Sequence, residues 1–159
     1  MSLSSVGRRI LPALALAGVL ALPNSAPAAA GSEFGAMENV ARAQVGDPFR
    51  LGTEGPHRFD CSGLVYFAFN KAGLLDRVGG KRRLARGYLQ WFRDRGLASR
   101  TNPRPGDLVV WGRGKHIGIY LGDGKAISAV VNPWGVKVHP VKGWLNMRFT
   151  TYLHVGLGQ

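Results

Sequence analysis

Apolar positions along this chain follow two rhythms, helical in the first half and alternating in the second. In residues 37–46, MENVARAQVG, Met37, Val40, Ala41 and Val45 recur at roughly helical intervals, and Gly46 is a stop signal. Residues 47–59 are rich in Gly and Pro and read as a loop. From Cys61 onward, Leu64, Val65, Phe67, Ala68 and Ala72 predict a second helix, with Asp60 at its N-cap and Gly73 as its stop. Residues 81–95, KRRLARGYLQWFRDR, predict a third, with Leu84, Tyr88, Trp91 and Phe92 on one face and basic residues on the other.

From residue 105 the period shortens. PGDLVVW, HIGIYL, AISAVV, GVKV and TTYLHVGL are short β-rich runs separated by Gly, Pro, Asp or Asn. Helices first and strands later is the order of an α+β domain with an antiparallel sheet. No internal repeat interrupts it.

The first 30 residues carry a different pattern. Arg8 and Arg9 precede an apolar run from Ile10 to Leu22, and Ala28–Ala30 gives a small-x-small motif. Charge, apolar run and small residues in that order are those of a secretory signal peptide, and the run is shorter than the roughly 20 residues of a membrane span. Residues 31–159 then suit a single domain, exported and without an integral membrane segment. The chain has 21 Lys+Arg against 9 Asp+Glu, a formal charge of +12, and losing Arg8 and Arg9 brings +12 to +10. Such a surface attracts polyanions. The basic residues are dispersed and no nucleic-acid motif is present, which argues against a nucleic-acid partner.

Cys61 is the single cysteine, so no internal disulfide is possible. A thiol in the first turn of a helix meets unpaired amides and the positive end of the helix dipole, which favour thiolate and can hold an oxyanion. Gly63 leaves room for a substrate to approach. The competing reading is a buried structural cysteine. The histidines shift the balance. In an extended HIGIYL strand, Ile117, Ile119 and Leu121 share one face, and His116, Gly118 and Tyr120 the other. His116 therefore lies off the core face, beside a glycine, as a catalytic imidazole would. His57, His139 and His154 read as structural or surface residues, and no Cys/His spacing resembles a zinc site.

FDCSGLVYFAF followed by NPRPGDLVVWGRGKHIGIYLGDGKAI resembles the NlpC-type cell-wall cysteine peptidases, over about Val40 to His154. The resemblance implies a papain-like α+β fold, with the cysteine helix packed on an antiparallel sheet of five to six strands. It also implies Cys61 as nucleophile, His116 as general base and no metal or cofactor. The substrate it implies is the peptide stem of peptidoglycan, cut between D-glutamate and a diamino acid through a thioester, with anionic wall polymers as further partners. Two positions depart from the family pattern. The third catalytic position, often histidine, is Ser128, and a position near the cysteine that is often tyrosine is Phe49.

Whether Ser128 can orient His116 depends on the hairpin between them. A three-residue loop centred on Asp123 puts Ser128 and Asn132 on the diagonals of His116; a two-residue Asp123–Gly124 turn would swing Ser128 to the opposite face. Asn132 or a bridging water are the alternatives for the orienting role. At the level of function, the alternatives are a non-catalytic wall-binding module on the same fold, or an exported amidase or acyltransferase toxin.

Overall fold

The computed structural model of the chain describes residues 32–159; the segment read as a signal peptide lies outside the described residues. Among the described residues, three α-helices and a six-stranded antiparallel sheet make up the fold, which is the α+β architecture expected from the sequence. Helix α1 spans Glu33–Arg42, α2 Cys61–Lys71 and α3 Ala85–Arg93. Strands β1 (Ala98–Ser99), β2 (Leu108–Trp111), β3 (His116–Gly122), β4 (Lys125–Val130), β5 (Gly135–Pro140) and β6 (Phe149–Leu153) are ordered β1-β6-β2-β3-β4-β5.

Helix α2 lies against β3 and β4, and α1 lies against α2. The alternation in β3 explains this layering. Ile117 and Ile119 are fully buried with Ile127, Leu108, Val110 and Leu153 beneath Leu64, Val65, Ala68 and Phe69 of α2. Full burial of each such side chain contributes about 1.5–3 kcal/mol. The opposite sheet face carries its own apolar cluster, built from Val109, Trp111, Tyr120, Ala126, Val141 and Tyr152. This second layer is why HIGIYL is buried on both faces.

Two helix boundaries differ from those expected. Helix α1 begins at Glu33 because Ser32 caps it, accepting the Gly35 amide at 3.0 Å, and it ends at Arg42 before the turns that lead to Gly46. Helix α3 begins at Ala85. Leu84 is its extended N-cap residue, 70% exposed, and does not join the buried face of Tyr88 and Phe92. The stop at Gly73 is followed by a single 3-10 turn over Leu75–Val78 that the apolar pattern did not signal.

The hairpin between β3 and β4 combines both expected geometries. Gly122 pairs with Lys125 across a two-residue Asp123–Gly124 turn, yet Ile119 pairs with Ile127 and Tyr120 with Ala126. A β-bulge between Tyr120 and Gly122 absorbs the extra residue. The turn is tight, and the bulge restores the register that keeps Ser128 on the face of His116.

Candidate active site

Cys61 is the first residue of α2, as its position after Asp60 predicts. Asp60 has extended backbone and accepts the Gly63 amide at 2.7 Å and the Ser62 hydroxyl at 2.8 Å through Oδ1. Its Oδ2 accepts the Gly52 amide at 2.8 Å and pairs with Arg82 at 2.7 Å. One carboxylate thus caps the helix, ties down the preceding loop and pairs with Arg82.

Gly63 has a different role from the one expected. A Cβ there would collide with the Thr53 carbonyl and lie 2.9 Å from the Glu54 Cα. Its lack of a side chain admits the 53–54 loop onto the helix and leaves no room for substrate. The Thr53 carbonyl accepts the Asp60 amide at 2.9 Å, so this close approach is part of what fixes the start of α2. Phe49 packs against the core and its backbone bridges to Phe59, two residues before the cysteine.

The thiol is partly buried, beside β3 at the amide of Ile117, the residue after His116. Burial pushes its pKa above the ordinary value. The Ile117, Ser62 and Cys61 amides pull it down and the Asp60 charge pushes it up, with a net rise. This reverses the expectation of a lowered pKa at the helix start, because desolvation outweighs the three amides.

His116 opens β3, 6% exposed, on the face opposite the isoleucines. Its Nε2 lies 2.9 Å from Ser128 Oγ, within hydrogen-bond distance. Burial, with the nearby His139, lowers the His116 pKa to about 4. At neutral pH the site therefore holds a neutral imidazole and a neutral thiol. Asn132 lies exposed beyond the end of β4, and the contact between His116 and Ser128 is direct.

Of the other histidines, His57 is exposed. His154 is structural, held between Asp107 Oδ2 at 2.8 Å and Ser99 Oγ at 2.7 Å. His139 departs from the expectation. It is 2% exposed, with Nε2 at 2.7 Å from Ser128 Oγ and Nδ1 at 2.9 Å from the Pro140 carbonyl. Trp144 stacks on its ring at 4.6 Å, and Trp111 flanks both His116 and His139. One signal for it was present. In GVKVHP, Lys137 and His139 alternate against Val136 and Val138, and Lys137 pairs with Ser128.

An open cleft of about 1060 Å³ lies where the β2–β3 turn, β1 and the segment leading into β6 meet α3. Arg86, Arg93, Arg100, Arg113, Lys115 and Arg148 line it, all exposed, and no acidic residue does. None of the six joins any ion pair among the described residues.

A cysteine at the start of a helix laid on an antiparallel sheet, with a histidine opening the adjacent strand, defines a papain-like domain. The NlpC/P60 family profile matches residues 46–153, and the chain belongs to that family. It is 31% identical over 123 residues to a probable endopeptidase p60 of Listeria grayi, covering 76% of this chain and 22% of that protein. It is 34% identical over 125 residues to a probable endopeptidase of Mycobacterium tuberculosis, covering 78% of this chain and 30% of the relative. The chain thus spans less than a third of the length of either relative. Among solved structures, the NlpC/p60 domain of the peptidoglycan hydrolase SagA superposes with a TM-score of 0.57 at 25% identity, covering 76% of this chain and 97% of that one. The peptidoglycan hydrolase RipB of M. tuberculosis gives 0.58 at 24% identity, covering 77% and 64%.

Proposed function

We propose that this protein is an exported cysteine peptidase that hydrolyses amide bonds in the peptide stems of peptidoglycan, between D-glutamate and a diamino acid. The observation that carries this reading is the juxtaposition of Cys61, at the amide next to His116, with a His116 ring anchored by Ser128. Membership of a family whose relatives are named endopeptidases and peptidoglycan hydrolases supports the substrate class. The small-x-small motif after the apolar run supports export, and among the described residues no helix is long and apolar enough to cross a membrane.

The chemistry follows from two neutral partners. His116 accepts the thiol proton as Cys61 Sγ attacks the amide carbonyl. The amides of Cys61 and Ser62, which already favour negative charge on the sulfur, are the donors for the developing oxyanion. The imidazolium then protonates the leaving amine, and a water deprotonated by His116 hydrolyses the thioester. The basic cleft supports a second contact, retention on the anionic polymers of the wall.

One observation favours a wall-binding module without catalysis: burial raises the Cys61 pKa, as an inert cysteine would show. Mass spectrometry of a defined muropeptide digest separates the two. Wild-type protein is expected to release stem fragments and both Cys61→Ala and His116→Ala to release none. Equal release by Cys61→Ala would exclude the peptidase.

A further inference from the structure

Three hydrogen bonds run in series from His116 into the core, and their directions are fixed by chemistry. The far end is the Pro140 carbonyl, 2.9 Å from His139 Nδ1. A carbonyl only accepts, so His139 Nδ1 carries a proton. A neutral His139 then has its lone pair on Nε2, which lies 2.7 Å from Ser128 Oγ. The serine hydroxyl has one proton and gives it to that lone pair. Its oxygen is left with acceptor capacity only toward His116 Nε2, at 2.9 Å. His116 Nε2 must therefore donate, and the lone pair of the neutral His116 ring is on Nδ1.

We propose that His139 is a positioning residue for the peptidase chemistry. Acting through Ser128, it locks His116 in the Nε2-protonated tautomer, with Nδ1 as the atom that takes the Cys61 proton. This rests on the catalytic reading above and assigns a role to a residue one bond removed from the base. Without His139, the Ser128 proton is free to turn toward His116 Nε2, which stabilises the opposite tautomer and leaves Nδ1 protonated and unable to act.

The surroundings of His139 fit a fixed orienting group. Trp144 stacks on the ring at 4.6 Å with 19° between planes, and Trp111 lies 5.6 Å away. Trp111 is itself tied by its Nε1–H to the Val141 carbonyl at 2.8 Å. The ring cannot turn to exchange its nitrogens without displacing Trp144 and breaking the Pro140 bond. When His116 becomes an imidazolium, its Nε2–H points along a chain of donors all oriented the same way, so each bond polarises the next. A lone serine hydroxyl lacks that support.

Nitrogen NMR of the histidine rings tests this in full-length Cys61→Ala protein, where no catalysis is needed. The expected signature is His116 as the Nε2–H tautomer and His139 as the Nδ1–H tautomer. His139 hydrogen-bonds Ser128 and the Pro140 carbonyl; His139→Leu is expected to convert His116 to mixed tautomers, and His139→Gln, whose carbonyl can accept the Ser128 proton, to restore the single form. In the Cys61 background, His139→Leu is expected to lower kcat about tenfold or more with KM unchanged. Adding His139→Leu to Ser128→Ala is expected to cost nothing further, because the two act in one series. Finding His139 as the Nε2–H tautomer, or an unchanged His116 signature in His139→Leu, overturns the proposal, and the first needs no variant at position 139. If the tautomers behave as stated while the wild-type protein cleaves no muropeptide, the peptidase reading fails and the relay stands.

Discussion

Gly118 and Ser128 meet across β3 and β4 with no space between them. A Cβ on Gly118 would come within 2.9 Å of Ser128 Cβ and 2.7 Å of the Ile127 carbonyl. The backbone there is ordinary strand, so the glycine serves close approach: it lets β4 bring Ser128 in beside His116. Gly118→Ala is expected to destabilise the fold by about 1–3 kcal/mol, since a backbone carbonyl cannot move aside cheaply. It should also cut kcat by moving Ser128 off His116. Urea unfolding together with muropeptide turnover checks both, and an unchanged midpoint with full activity would show that the contact is not limiting.

Stability should fall in mild acid. Folding holds His116 at about 4, below its ordinary 6.5, and lowers His139 as well, both chiefly by burial. The unfolded chain therefore binds more protons than the folded one between those values. The neutral-ring contribution is complete above about pH 6.5 and is lost as pH falls toward 4, by about 3 kcal/mol for His116 alone. Melting temperature measured from pH 7.5 to 4 should drop across that window, and His116→Asn should flatten the curve. A wild-type profile that is flat from pH 7 to 4.5 would contradict the burial argument.

What the sequence revealed and what it hid divide along a physical line. The Asp60 cap, the cysteine helix and the isoleucine face of β3 were legible because each follows from local chemistry within a few residues. Alternation alone put His116 off the core face, but it left the face of Ser128 open, because that turned on the hairpin register. The partner of Ser128 was not legible, because His139 reaches it only through the pairing of Lys137 with Ser128, a register between strands joined by the turn at 131–134. The bulge before Gly122 was hidden for the same reason: a tight Asp-Gly turn and a shifted register looked mutually exclusive until one residue was set aside. The raised Cys61 pKa depends on how deeply the helix start is covered, which no local motif encodes.

The thiol should react slowly until substrate arrives. Burial keeps Cys61 protonated at neutral pH and keeps His116 neutral down to about pH 4, so no preformed ion pair is available. Iodoacetamide alkylation of Cys61 at pH 7 is expected to be slower than that of a free cysteine, with the rate climbing through and above pH 9. Catalysis needs only a neutral His116, so kcat/KM should hold from pH 7 down to about pH 5 and fall as His116 titrates near 4. Rapid alkylation at pH 6.5 would mean that a thiolate is present in the resting protein.

Wall retention should be electrostatic and separable from cleavage. The six cations of the cleft sit together although the chain has nine acidic residues elsewhere, so their mutual repulsion is unrelieved within the protein. A polyanion would relieve it, and five of the six are arginines, whose planar forks suit phosphate or carboxylate. Reversing two exposed members, Arg113→Glu with Arg148→Glu, is expected to weaken binding to purified walls about tenfold or more at low salt. It should also flatten the salt dependence of the residual binding. Turnover of a small soluble muropeptide should stay near wild type, because neither side chain belongs to the Cys61–His116–Ser128 chain. Pelleting with purified walls at 50 and 500 mM salt, beside a soluble-substrate assay, gives both readouts. Parallel loss of binding and soluble turnover would mean that the cleft is part of the stem-peptide groove itself, and wall binding unaltered by the double reversal would remove the cleft from retention altogether.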